Sequence, residues 1–221
     1  MKLCVAGCSF SDYAGDVSNI YGAILAEKLN ADYIHHGAGC GSNYRIWREV
    51  GKLVISKEIT PQDILIIQYT EVTRTEFWSS NLFTKKIAPK TCATAENYNN
   101  DGSILRYKSG ADTWQNSKTE KEFFKMYESN FLNTKFEEEK FKVYNEMFQH
   151  LLLNYKIPTI FLNNPYRNDY NMLDYFQNLS YSTTITTETQ LSTNDPWHLS
   201  LYGHTVLANN LYDHIVAKGL V

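Results

Sequence analysis

The chain has 221 residues, 43% of them hydrophobic, with 24 acidic against 21 basic side chains and a net charge of -3. That size and apolar content fit one folded domain with a sizeable core and exclude an intrinsically disordered chain. Without clustered Lys and Arg the sequence carries no nucleic-acid footprint, and no run stays apolar long enough to span a membrane.

Residues 3–6 form a short apolar run that ends at Gly7, the pattern of a buried strand. The segment Val5-Ala6-Gly7-Cys8 has the outline of a lipoprotein processing box, but five residues separate Lys2 from Cys8 and leave no room for an apolar signal core. No leader is therefore expected, and a cytoplasmic or virion-associated setting follows. Asn19 is placed to cap a helix running to about Leu29, with Ile20, Ala23 and Ile24 at helical spacing. Residues 32–35 are a second strand, and Gly37, Gly39 and Gly41 punctuate the loop after it. Ser42 or Asn43 caps a helix to about Ser56 that carries Ile46, Val50, Leu53 and Val54 on one face. A turn at Pro61-Gln62-Asp63 leads into residues 64–69, a strand apolar enough to lie centrally in a parallel sheet. Strand and helix alternate, which predicts an α/β fold with a doubly wound parallel sheet.

The rhythm breaks over residues 79–117, which are rich in Asn, Thr, Ser and Lys with isolated aromatics at Phe83, Tyr98, Tyr107 and Trp114. A structureless stretch of that length is unusual in a compact domain and reads as an insertion: a small hairpin, a lid, or a mobile surface loop. Residues 119–155 are helical by pattern with a break near Asn133. Phe124, Tyr127 and Phe131 share one face, and Phe141, Tyr144, Phe148 and Leu151 another. The charged run Glu137-Glu138-Glu139-Lys140 reads as a solvated helix face. A fourth strand at 158–162, a short helix at 169–178, an irregular Thr-rich stretch at 180–193 and a last amphipathic helix at 200–218 complete a single domain over 1–221. The 16 tyrosines and 11 phenylalanines are assigned mainly to core packing.

Two places carry chemistry. Gly7-Cys8-Ser9-Phe10-Ser11 follows the first strand directly, and sites in parallel α/β sheets form beyond the carboxyl ends of strands. A serine there is held where an activated nucleophile would sit. Near the other end, Asp195-Pro196-Trp197-His198 precedes the last helix. A serine nucleophile needs a base, and the base needs an orienting carboxylate, which an Asp and His three residues apart can supply.

Taken together, Gly-x-Ser-Phe-Ser at the first strand and Asp-x-x-His before the last helix resemble the first and last blocks of the SGNH (GDSL-like) hydrolase superfamily. The segments Gly203-His204-Thr205-Val206-Leu207-Ala208 and Gly41-Ser42-Asn43-Tyr44-Arg45-Ile46 are similar to that family's last and second blocks. The resemblance implies a three-layer α/β/α sandwich with a central parallel sheet and a flavodoxin-like order. It also implies an esterase in which Ser9 attacks the acyl carbon, His198 is the base and Asp195 fixes its tautomer. Backbone N–H groups of Ser9 and of Cys40 or Gly41 would line the oxyanion hole. Cys40 stands where the family has glycine. Where the family has Gly-x-Asn-Asp after the third strand, this chain has Gln68-Tyr69-Thr70-Glu71, so Thr70 takes the place of the oxyanion asparagine. Losing one such donor costs about 3–4 kcal/mol in the transition state, so the expectation is that Thr70, Gln68 or Arg74 compensates or that activity is weak. A Thr-containing third block followed by Arg74 and Glu76 resembles some phage-associated members.

Asn43, Gln68, Arg74 and Trp197 are the expected substrate contacts. The expected substrate is a small-molecule or carbohydrate ester with a short acyl group, since Trp78, Trp114 and Trp197 could stack on sugar rings. The mechanism calls for no metal and no cofactor. The alternative is a non-catalytic binding or virion protein on the same scaffold. His35, His36, His150, His204 and His214 are given structural roles, with His204 as a helix-packing residue. The four cysteines, Cys4, Cys8, Cys40 and Cys92, match no zinc spacing and are expected as free thiols.

Overall fold

The computed structural model describes residues 1–8, 11, 17–37, 41–70, 72–78, 104–107, 118–162 and 199–221. In chain order they form β1 (Lys2–Gly7), α1 (Tyr21–Leu29), β2 (Asp32–Gly37), α2 (Asn43–Ile55), β3 (Ile64–Gln68), β4 (Thr75–Trp78), β5 (Ile104–Tyr107), α3 (Lys118–Asn130), α4 (Thr134–Asn154), β6 (Thr159–Leu162) and α5 (Leu201–Ala217). The expected helix at 169–178 and the stretch at 180–193 lie outside the described residues, as do residues 79–103 and 108–117 of the expected insertion.

Among the described residues one sheet has the order β2-β1-β3-β6, every pair parallel. Each β1 residue faces one layer or the other, because side chains alternate along a strand. Leu3 and Val5, with Ile64, Ile66 and Ile160, pack against Leu25 and Ala26 of α1 and Leu207, Leu211 and Ile215 of α5. Cys4 and Ala6, with Leu65, Ile67 and Phe161, pack against Ile46, Val50 and Val54 of α2 and Phe141, Phe148 and Leu152 of α4. Two helical layers therefore sandwich the sheet, and the near-continuous apolar reading of β1 and β3 follows from burial on both faces. β1 and β3 are the inner strands, and fully burying each aliphatic side chain there stabilises the fold by about 1.5–3 kcal/mol. A separate antiparallel ribbon pairs β4 with β5, bracketing the first part of the expected insertion. No helix among the described residues is long and apolar enough to cross a membrane.

Several local expectations are corrected. The N-cap of α1 is Ile20 and not Asn19, which belongs to a short 3-10 turn at Val17–Asn19. Ile20 makes no side-chain cap; instead the Tyr21 N–H donates to Nδ1 of His204, 3.2 Å away on α5. A tertiary partner thus serves one of the helix's unpaired N–H groups. Ser42 caps α2 by accepting the Arg45 N–H, and Asn133 caps α4 by accepting that of Phe136. The acidic run is not all solvated. Glu137 turns inward at the first turn of α4, where the helix dipole favours a carboxylate, and pairs with Lys140 at 2.7 Å. The buried stripe of α4 is Glu137, Phe141, Asn145, Phe148 and Leu152, while Phe131 and Tyr144 are exposed.

Candidate active site

The sheet order fixes where a ligand can enter. β2 lies on one side of β1 and β3 on the other, and in open α/β sheets it is at such a switch point, beyond the carboxyl ends of the strands, that ligands bind. The residues there are Gly7 at the end of β1 and Cys8 after it, Gly37 at the end of β2 and Gly41 beyond it, and Gln68 at the end of β3 followed by Tyr69 and Thr70. The chain also returns to this end at Ser11.

Gly7 is required by this approach. A Cβ on it would lie 3.0 Å from Gln68 Cβ and 3.1 Å from Ser11 Cβ. A Cβ on Gly37 would lie 2.7 Å from the Ser11 carbonyl oxygen. Ser11 therefore folds back over both strand ends only because neither carries a side chain at those positions. The Ser11 N–H donates to the Cys8 carbonyl at 2.9 Å, and Nε2 of His35 donates to the Ser11 carbonyl at 2.8 Å. Its hydroxyl is buried and donates to Oε1 of Gln68, while the Tyr21 phenol lies 2.9 Å away. Burial pushes the Tyr21 phenol well above its ordinary range, so it stays protonated.

Beyond the end of β3 the Asn43 side chain clamps Thr70. Its Nδ2 donates to the Thr70 carbonyl at 3.0 Å, and its Oδ1 accepts the Thr70 N–H at 2.9 Å. Asn43 is the first residue of α2, brought to the strand end by the Ser42 cap. The clamp leaves the Thr70 side chain apart: its hydroxyl is buried and has no hydrogen-bond partner. A buried hydroxyl without a partner costs free energy. The preceding residue, Tyr69, points into the other layer, where its hydroxyl accepts from Nε1 of Trp47 at 3.2 Å and donates to Oδ1 of Asn145 at 2.5 Å.

Of the expected site residues, Ser9, Cys40, Asp195, Trp197 and His198 lie outside the described residues. Gly41, Asn43, Gln68, Thr70 and Arg74 are all buried. Asn43 and Gln68 direct their side chains at other protein groups, the Thr70 backbone and Ser11. Arg45 was not singled out; it is buried, and its Nη1 donates to the His36 carbonyl at 2.9 Å, tying α2 to the end of β2. Burial lowers the His36 pKa, and the Arg45 charge lowers it further. Cys8 is a buried free thiol. The roles of Ser11, Tyr21 and Asn43 had no local sequence signal, since their partners are 57, 10 and 27 residues away.

No protein-family model matches the sequence, and no curated protein matches it either. Solved structures match over the full chain. A protein described as lipolytic, of the G-D-S-L family, from Desulfitobacterium hafniense DCB-2, aligns with a TM-score of 0.54 at 12% identity, covering 100% of this chain and 99% of that one. The psychrotrophic esterase EstA from Pseudoalteromonas sp., in a structure inhibited by monoethylphosphonate, aligns at 0.53 and 8% identity, covering 98% and 97%. An acetyl xylan esterase from the rumen bacterium Butyrivibrio proteoclasticus aligns at 0.53 and 16% identity, with 100% of this chain against 65% of that one. The chain thus has the α/β fold of SGNH-like hydrolases.

Proposed function

We propose that the protein is a serine ester hydrolase that works through an acyl-enzyme and removes short acyl groups from a carbohydrate or another polar alcohol. The observation that carries this reading is the Thr70 hydroxyl, buried and unpartnered at the carboxyl end of β3 beside the end of β1. A donor in that place is what an oxyanion needs, and an asparagine clamp holds the backbone that bears it. Electrostatic stabilisation of this kind works because the donor is fixed before charge develops.

In this mechanism Ser9 Oγ attacks the acyl carbon as its proton passes to His198, whose ring Asp195 orients. The tetrahedral oxyanion accepts hydrogen bonds from the N–H groups of Ser9 and of Cys40 or Gly41, and from the Thr70 hydroxyl. The carbon–oxygen bond to the alcohol then breaks, and His198 returns its proton to the departing alcohol. Water, deprotonated by His198, attacks the acyl-serine; collapse releases the acid and restores Ser9. Arg74 and Trp197 are assigned to the alcohol portion of the substrate. Polar acyl esters are favoured by the likeness to an acetyl xylan esterase, together with the tryptophans of this chain.

The test is intact-mass measurement after incubation with a fluorophosphonate, on the wild type, Ser9→Ala and His198→Ala. One adduct on the wild type, absent from both variants, is the expected result. The replacement of the family's asparagine by Thr70 favours one other reading, a non-catalytic binding protein on this fold. Folded wild-type protein that takes up no label would favour that reading instead.

A further inference from the structure

Every polar group of Ser11 is committed. Its N–H goes to the Cys8 carbonyl, its carbonyl accepts from His35, and its hydroxyl meets Tyr21 and Gln68. Gln68 Oε1 can only accept, so the single Ser11 hydroxyl hydrogen goes to it. The Tyr21 phenol hydrogen then goes to the Ser11 oxygen at 2.9 Å, its nearer acceptor, with Gln68 Oε1 at 3.5 Å. Tyr21 is itself held twice: its ring stacks on His204, with centroids 6.1 Å apart and planes 16° apart, and its N–H donates to Nδ1 of that histidine. The chain Tyr21 to Ser11 to Gln68 therefore links α1, the residues after β1 and the end of β3, and it is anchored on α5.

Two consequences bear on the site. Ser11 is fully buried with its hydrogen already given away, so the second serine of Gly-x-Ser-Phe-Ser is unavailable as a nucleophile. Ser11 also stands two residues after Ser9, and Gln68 two residues before Thr70. The bond between Ser11 and Gln68 is thus a direct tie between the segment that carries the nucleophile and the strand end that carries the oxyanion donor.

We infer that Ser11 is a positioning residue: its hydroxyl, oriented by Tyr21 and received by Gln68, holds the end of β3 that leads to Thr70 in register with the chain after β1, so that the Thr70 hydroxyl is in place for the reaction. This rests on the reading of Ser9 as nucleophile. A buried hydroxyl bridging two partners is also needed for stability, so the test must separate fold from rate. Misplacing a reacting group by about 1 Å can cost on the order of a hundredfold in rate with little change in ground-state binding.

The experiment measures kcat and KM on p-nitrophenyl acetate, and the rate of fluorophosphonate labelling, for wild type, Ser11→Ala, Ser11→Thr and Tyr21→Phe. Urea unfolding of each shows that it is folded. Ser11→Ala is expected to lower kcat and the labelling rate at least tenfold with KM within about twofold, and Ser11→Thr, which keeps the hydroxyl, to recover most of the loss. Tyr21→Phe leaves the Ser11–Gln68 bond in place and is expected to fall several-fold. A folded Ser11→Ala protein with wild-type kcat and labelling would overturn the inference and leave the esterase reading intact. Should Ser11→Ala fail to fold, Tyr21→Phe decides, and wild-type kcat in that variant overturns the inference. Wild-type protein that neither labels nor turns over would sink the esterase reading and this inference with it.

Discussion

The clamp between Asn43 and Thr70 offers the sharpest test of how the site is held. Asn43→Ala removes both hydrogen bonds at once and strands a buried backbone N–H and a buried carbonyl. Each orphaned group costs about 1–3 kcal/mol. Alanine returns up to about 0.7 kcal/mol of helix propensity in the first turn of α2, so a net loss of about 2–4 kcal/mol is expected. For a domain of this size that lowers Tm by about 5–15 °C. Asn43→Asp probes the same geometry through pH. One carboxylate oxygen still accepts the Thr70 N–H, but the other faces the Thr70 carbonyl with no hydrogen between them. The protonated acid can donate there as the amide does. Its folded pKa is therefore raised, and its stabilising contribution is present at low pH and lost as pH rises through that value. Urea unfolding of the three proteins at pH 5 and pH 8 measures this. A loss below about 0.5 kcal/mol for Asn43→Ala, or a deficit for Asn43→Asp that is equal at both pH values, would refute the clamp.

Three further outcomes follow from the packing. Gly51 lies in mid-helix with open space where a Cβ would go, so Gly51→Ala should raise stability by about 0.5–1 kcal/mol, whereas Gly22→Ala drives its methyl within 2.8 Å of the Tyr33 ring and should lower Tm. Tyr69→Phe leaves Asn145 and Trp47 without their shared partner and should cost about 1–3 kcal/mol; adding Asn145→Leu should return part of it, read by a double-mutant cycle in urea. Burial lowers the pKa of His36 and of His214 below 6.5, aided by Arg45 and Lys218 respectively. The unfolded chain then binds more protons, so stability is complete above about pH 6.5 and falls as pH drops below it. His36→Gln should flatten the slope between pH 7.5 and 5.5, and an unchanged slope would remove His36 from the account.

The layered architecture was legible because burial on two faces leaves a simple mark: β1 and β3 are nearly all apolar, and α2 carries its core residues at helical spacing. The cap of α2 was legible to within one residue, as Ser42 or Asn43, because the signal and its partner are three residues apart; Asn133 was legible only as a helix break, and the structure makes it the cap of α4. What escaped was settled by distant groups. Asn19 looked like a cap by residue type, yet the helix starts at a buried isoleucine because His204, 183 residues from Tyr21, takes the free N–H. Glu137 read as solvent-facing because charge alone cannot announce a partner one turn later with the helix dipole behind it. At the site, block spacing pointed to the ends of β1 and β3, but nothing local marked Asn43 as the residue that holds Thr70, or Ser11 as bonded to Gln68.

The order of strands also has a consequence in time. β1 and β3 are made well before α5, yet α5 covers one of their faces with Leu207, Leu211 and Ile215. Once β3 has joined β1, synthesis from residue 68 to 217 takes about 7–30 s. Throughout that interval Leu3, Val5, Ile64 and Ile66 lack the cover that α5 gives them. The nascent chain thus carries an adhesive sheet face over that interval, and a chaperone that binds apolar strands would find its target there until α5 docks.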